Sequence, residues 1–226
     1  MKLSVVVPML NEESAIAATL RAIRAGAPDA EIVVVDGASA DRSVERARAL
    51  CDILLHAPRG RPRQMNAGAD AASGDVLAFV HADTLVPAAF GADIAAAMAD
   101  SRVVGGRFDV ALDDPHPLCV LIGNLISLRS RLSRTATGDQ AIFVRREVFR
   151  ALGGFPDFPI CEDLDFARRM KRAGRVACLR SRVITSARRW RRRGILRTVL
   201  TMWTIRALYL AGVSPSRLSR IYADMR

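Results

Sequence analysis

Glu31-Ile32-Val33-Val34-Val35-Asp36-Gly37 is a run of branched apolar residues closed by a carboxylate and a glycine. It has no polar face, so it suits a strand covered on both sides, as in a parallel sheet. Asp and Gly at its end supply turn chemistry. Working outward, Leu3–Val7 is a second such run, and Asn11 stands where it can cap a helix reaching about Ala25. Asp41 is placed to cap another helix to Leu50, and Asp52–His56 reads as a strand. Gln64–Ala72 is helical with Ala-rich spacing. Val76–Val80 is again a strand, closed by His81-Ala82-Asp83, and Pro87 suits the first turn of a helix to Ala99. Branched runs alternating with helices predict βαβ units: an α/β fold with a mostly parallel central sheet flanked by helices. Ligands in such sheets gather at the carboxyl ends of the strands.

The second half is less regular. Val103–Ala111 reads as a strand, Pro117–Leu132 as a helix, Ala141–Val144 as a strand and Arg146–Leu152 as a short helix. Glu162–Ala173 is amphipathic, with Leu164, Phe166, Ala167 and Met170 on its apolar side. Val176–Leu179 and Val183–Thr185 read as two short strands, and Ile195–Ala211 as a last helix. With no repeat and no linker, the division is a main domain over 1–185 and a basic helical tail over 186–226. Within the main domain, 1–110 holds the strand-end ligand sites and 111–185 the remainder.

Length and composition narrow the class. The chain has 226 residues, half of them hydrophobic, enough for a sizeable core without staples. Cys51, Cys119, Cys161 and Cys178 are scattered with no CxxC pair, which excludes a disulfide framework and a zinc knuckle and fits thiols in a reducing compartment. The apolar start at Leu3 is too short for a signal segment, so the expected location is cytoplasmic. The net charge of +11 is uneven: residues 1–165 carry 17 Lys+Arg against 22 acids, and residues 166–226 carry 17 against one. A basic face confined to the last quarter suits anionic lipid, a phosphorylated acceptor or a nucleoside diphosphate, and argues against nucleic acid. Ile195–Val213 is apolar but contains Arg197 and Arg206. A central arginine costs ~2.5–3.5 kcal/mol on insertion scales, so an interfacial helix peripheral to the inner face of the membrane, or a packed or homodimer helix, replaces a span.

Several polar groups sit just past strand ends. Asp36 is placed to accept from a base or ribose, or to serve its own turn. Arg61 and Arg63 at a helix start make an anion site or a solvated basic turn. Asp83 can hold Mg2+ or Mn2+ when phosphates and water complete the shell, and His81 beside it is a ligand, a ribose contact or a packed ring. Glu162, Asp163 and Asp165 open a helix, as dipole partners or as a general base for a hydroxyl nucleophile.

Taken in order, the motifs are specific. Val5-Val6-Val7-Pro8-x-x-Asn11-Glu12, Val34-Val35-Asp36-Gly37-x-Ser39-x-Asp41, Asn66-Ala67-Gly68, the strand end at Asp83, Gly153-Gly154-Phe155 and Glu162-Asp163 resemble the family 2 glycosyltransferases, over roughly residues 3–175. The likeness is greatest to a small bacterial subgroup with His81-Ala82-Asp83-Thr84 in place of Asp-x-Asp. The resemblance implies a GT-A (Rossmann-like) fold and an inverting, metal-assisted transfer from a UDP- or GDP-sugar, with Mn2+ or Mg2+ as cofactor. It puts Pro8, Leu10, Glu12, Asp36, Arg61, Asn66 and His81 in the nucleotide site and Asp83 on the metal. It makes Asp163 the base with Glu162 beside it, and places Gly138, Asp139 and Gln140 at the sugar and acceptor. The acceptor it implies is a hydroxyl or a phosphate, with a lipid or isoprenoid among the candidates. His81 departs from the family's aspartate and removes one negative charge from the metal site.

The family's Gln-x-x-Arg-Trp motif survives only as Arg189-Trp190, with Ser186 at the glutamine position, which argues against polymer synthesis. In the tail, Arg188 or Arg189 is placed to clamp the diphosphate and Trp190 to stack on a sugar, the alternative being a solvated face. Two other classes compete. A nucleotidyltransferase needs a glycine-rich loop and lysine after the first strand, where this chain has Met9-Leu10-Asn11-Glu12. A non-catalytic nucleotide-sugar-binding or membrane-docking protein has no need of both Asp83 and Asp163.

Overall fold

In the computed structural model, residues 1–224 are described, except the side chains of residues 189, 192, 193, 223 and 224. Strands β1 (Leu3–Met9), β2 (Glu31–Asp36), β3 (Ile53–His56) and β4 (Val76–Phe79) alternate with helices α1 (Ile16–Gly26), α2 (Ser43–Arg48) and α3 (Arg61–Ala71). There follow β5 (Thr84–Leu85), α4 (Phe90–Met98), β6 (Val103–Leu112), α5 (Pro117–Ser133), β7 (Ile142–Arg145), α6 (Arg146–Ala151), α7 (Glu162–Ala173) and β8 (Arg175–Thr185). The tail forms α8 (Arg188–Arg193), α9 (Ile195–Leu210) and α10 (Pro215–Asp224). The strands make one sheet in the order β3-β2-β1-β4-β7-β6-β8-β5. β1 to β4 pair in parallel, as do β6 and β8; β7 runs antiparallel to β4 and β6, and β5 to β8.

The period of two along each strand builds a core on each face. Val5 and Val7 join Ile32, Val34 and Ala78 on one side. Val6 joins Val33, Val35, Leu77 and Phe79 on the other. The motif glycine Gly68 has a packing reason: a Cβ there would stand 2.4 Å from Val6 Cγ1, so only glycine lets α3 lie this close to β1. On the same face Phe79, Phe149, Phe155 and Phe166 meet in tilted and edge-to-face pairs with centroids 4.5–5.7 Å apart. Each such pair adds about 0.5–1.5 kcal/mol beyond its buried area. That cluster fixes the Gly153-Gly154-Phe155 turn and α7, on which the site depends.

Three expectations are corrected. Asn11 does not cap α1, which begins at Ile16; its backbone is left-handed (φ 53°) and its side chain accepts from Ala40 N at 2.8 Å. Pro87 lies ahead of α4, its carbonyl accepting from Phe90 N at 3.0 Å. The two short strands after Gly174 are one strand, β8, with a register shift opposite Arg107 and Asp109 that accounts for the broken apolar pattern. Finally, β5, α8 and α10 were not anticipated.

Candidate functional site

The loops after β1 and β2 are tied to each other before any ligand is considered. Asn11 N donates to Ser39 Oγ at 2.9 Å and Glu12 N to Ser43 Oγ at 2.7 Å. Pro8, within β1, and Leu10, just after it, are half-buried. Gln64 donates to the carbonyls of Met9 and Val35 at 2.8 Å each, and so pins α3 to both strand ends. Asp36 is only 2% exposed, and its carboxylate accepts from Ala38 N and Ser39 N. It also meets His56 Nδ1 at 3.3 Å, which puts an exposed imidazole at the mouth of the Asp36 loop. His56 is a site neighbour that sequence reading passed over as an ordinary strand end.

The turn after β4 carries Asp83, the carboxylate expected to meet a metal. Thr19 Oγ1 donates to Ala82 O at 2.8 Å and holds this turn against α1. Asp83 Oδ2 lies 3.3 Å from Arg188 Nη2, and the same nitrogen donates to Glu12 at 2.7 and 2.9 Å. One guanidinium from the tail therefore bridges the carboxylates after β1 and β4. Burial is opposed in Arg188 by these contacts: the hydrogen bond to Glu12 is the largest influence and pushes its pKa up. The tail arginine in the site is thus Arg188, while the side chain of Arg189 lies outside the described residues. Trp190, expected to stack on a sugar, is partly buried and packs against Leu112, Cys119 and Ile122.

α7 and the turn before β7 bring the remaining candidates together. Gly138 N donates to Asp163 Oδ2 at 2.6 Å, and Leu164 N to Asp163 Oδ1 at 2.6 Å. A Cβ on Gly138 would stand 2.7 Å from His81 Nε2, so glycine is what lets the imidazole, the turn and Asp163 share one small volume. A cavity of 10 Å³, room for about one water, is lined by Arg61, His81, Gly138, Phe155, Glu162 and Asp163. Glu162 is buried, which pushes its pKa up; the adjacent Asp163 adds to that, and Arg61, at 3.3 Å, opposes it. Cys161, just before, has its thiol pushed up to about 12 by burial, so it is inert as a thiolate at neutral pH.

Two expected contact residues hold the frame. Both polar atoms of the Asn66 amide are engaged by Phe155, donating to its carbonyl at 2.8 Å and accepting from its N–H at 2.9 Å. Gln140 is fully buried, donating to Phe108 O and Ser130 Oγ and accepting from Thr137 N. These amides complete backbone hydrogen bonding that is costly to leave unmade. Asp139, just before Gln140, has its Oδ1 sealed from solvent with no hydrogen-bond partner among the described residues.

The residues fit a divalent ion only in part. Asp83 is a hard oxygen ligand, but no group of three or more His, Cys, Asp or Glu among the described residues could hold an ion by itself. An ion at Asp83 needs oxygens from a bound phosphate to complete its shell, which magnesium and manganese accept.

Comparison with known proteins adds a family and a fold. A family model described as glycosyl transferase family 2 matches residues 4–148. No curated protein sequence matches the chain. Among solved structures it is similar to Staphylococcus aureus TarS 1–349 in complex with UDP-GlcNAc, at 20% identity and a TM-score of 0.66, over 82% of this chain and 58% of that one. It is also similar to the mannosyltransferase PcManGT from Pyrobaculum calidifontis in complex with GDP-Man and Mn2+, at 22% identity and a TM-score of 0.65, over 98% of this chain and 68% of that one. The chain spans about three-fifths of the TarS 1–349 structures it matches. At these identities the likeness is one of fold.

Proposed function

The chain belongs to the family 2 glycosyltransferases, and on that premise we propose that it moves a sugar from a UDP- or GDP-sugar to an acceptor in a single inverting displacement. The donor is taken by the half over 1–110 and the acceptor by that over 111–185. The observation that carries this reading is the convergence of three separate carboxylate sites, Glu12, Asp83 and Asp163, with Arg188 and His81 between them.

In this mechanism Asp163 takes the proton of the acceptor hydroxyl as its oxygen attacks the anomeric carbon. The bond from that carbon to the diphosphate breaks on the opposite face, and the nucleoside diphosphate leaves with the electron pair. An acceptor phosphate, already ionised, attacks without that proton transfer. Arg61 and Arg188 supply positive charge near the developing diphosphate, and guanidinium groups suit phosphate oxygens. The residue that would hold a divalent ion is Asp83, and the ion, when bound, neutralises the leaving diphosphate. Arg188, 3.3 Å from Asp83, would be within reach of a phosphate bound at that site. Glu162 stays beside the base and holds Arg61.

The donor is tested by melting temperature with UDP, GDP and their sugar conjugates, with Mn2+ or with EDTA. A ligand that binds only the native state raises it, by about 2.7 kcal/mol of stability at a hundredfold excess over Kd. The expected result is a rise for one nucleotide family that needs metal and is lost in Asp83→Ala. No rise with any nucleotide rejects the donor assignment.

We further read the tail as a docking face for an anionic membrane surface. α5 leaves Leu118, Leu121, Leu125, Leu128 and Leu132 exposed in one row, and α9 leaves Leu196, Leu200, Trp203 and Leu210. The helices share a small cluster through Cys119, Ile122, Ile195 and Val199, so the rows neighbour one another. No helix among the described residues is long and apolar enough to cross a membrane. The excess of arginine over residues 166–226 selects acidic lipid over a second copy of the same basic chain. Sedimentation with phosphatidylcholine vesicles containing phosphatidylglycerol, but not with phosphatidylcholine alone, is expected, and loss of binding in Leu200→Glu/Trp203→Glu. A stable dimer that ignores vesicles sinks the membrane reading.

A further inference from the structure

Arg129 on α5 and Arg206 on α9 meet over the loop that leads to Gly138. Arg129 Nη2 donates to Thr137 Oγ1 at 3.4 Å and Arg206 Nη2 to Thr135 Oγ1 at 3.2 Å. These are long bonds to neutral hydroxyls. Neither guanidinium has a carboxylate within ion-pair reach among the described residues. Both side chains are half-buried, and Arg129 Nε is sealed from solvent with no hydrogen-bond partner among the described residues. Among the described residues, most of the N–H donors of the two planar forks are thus left without strong acceptors.

The surroundings make this arrangement costly without a ligand. Burial is the main influence lowering the pKa of each arginine, and Arg129 lowers that of Arg206 further. Around Arg129, Asp139 and Asp163 oppose that effect, while Arg107 adds to it. Around Arg206, Asp163 and Cys161 oppose it, and Arg168 adds to it. The two carboxylates are felt at a distance but contact neither fork. Buried charges are normally paired directly. Here, among the described residues, the direct partner is missing near the candidate base Asp163.

We propose that Arg129 and Arg206 form an anion subsite that binds a phosphate group of the acceptor next to Asp163. The proposal rests on the transferase reading and gives it a substrate class. Two arginines suit a phosphate, whose three oxygens accept from both forks, better than a single carboxylate. Held there, the phosphate presents itself, or a hydroxyl a few bonds away, to the carbon being attacked. The phosphate belongs either to a soluble phosphomonoester or to a lipid phosphate reaching in from the neighbouring apolar face of α9.

Calorimetric titration tests this with phenyl phosphate and with farnesyl phosphate, on the full chain, with and without saturating nucleotide. Wild type is expected to bind at least one phosphate, and Arg129→Gln and Arg206→Gln to bind it about tenfold or more weakly. Arg129→Lys should keep part of the affinity. The melting temperatures of the free variants should hold or rise, because like charges are relieved, and their nucleotide-induced rise should match wild type. A tenfold preference for farnesyl phosphate identifies the lipid source, and equal affinities the soluble one; either sustains the subsite. Wild type binding neither phosphate, or both variants binding as wild type does, overturns it. A missing nucleotide response counts against the donor reading alone, since the difference between wild type and the arginine variants still reports on this subsite.

Discussion

Asp163→Asn is expected to lower turnover by about 10²–10⁴ while leaving nucleotide binding intact. A sugar hydroxyl is a weak nucleophile at neutral pH and gains from losing its proton as it attacks. In the proposed mechanism Asp163 is the carboxylate that takes it, and its Oδ2 is held by Gly138 N and its Oδ1 by Leu164 N, both at 2.6 Å. Those N–H groups fix its orientation against His81 and α7. Asparagine has the same size and keeps an oxygen for one of the two donors, so the geometry is disturbed little and basicity is removed. Release of UDP or GDP from the donor, with water as acceptor, gives the rate without knowing the natural acceptor. The melting rise with nucleotide reports the donor site separately. A variant that turns over within a factor of ten of wild type removes Asp163 as the base.

The sequence is legible where one physical rule dominates and opaque where tertiary placement decides. Ile32–Val35 could only be a covered strand, and the acids and apolar spacing of Glu162–Ala173 bound α7 as observed. The order of motifs carried the family, which the match over residues 4–148 shares. Single side chains were harder. Asn66 and Gln140 lie in motifs that carry function, yet their amides are used by Phe155, Phe108 and Ser130. Nothing local distinguishes an amide that supports a turn from one that meets a ligand. Arg188 is one of five arginines between residues 188 and 193. What singles it out is that β8 pairs with β5 through Thr84 and Thr185, next to Asp83, a contact 101 residues apart in sequence. Arg129 and Arg206 lie on separate helices far apart in sequence, and only tertiary structure brings both to the Thr135–Thr137 loop.

Asp109→Ala is expected to be the most destabilising single change, by about 3–5 kcal/mol. Arg107 and Asp109 are two residues apart on β6, so their side chains share a face of the strand. That face is closed: the side chains are 1% and 6% exposed. Asp109 takes Arg107 on one oxygen and Arg131 on the other. Arg107 otherwise has only a 3.4 Å bond to Ser127 O, and its Nε has no partner among the described residues. Removing the carboxylate leaves a guanidinium in the interior with no anion, and an arginine does not escape by losing its proton. For a chain of this length the loss corresponds to a fall in melting temperature of roughly 6–20 °C. The damage should reach the site, because Phe108, between the pair, accepts from Gln140, which braces the turn that holds Gly138 against Asp163. The double variant Arg107→Met/Asp109→Leu separates charge from packing. With both charges gone, most of the loss should be recovered, since an apolar pair of similar volume replaces a buried ion pair at little cost. A single Asp109→Ala variant that melts within a degree or two of wild type would mean that water reaches Arg107 and that β6 is not sealed. A double variant as unstable as the single one would mean that the shape of the pair, and not its charge, holds α5 to the sheet.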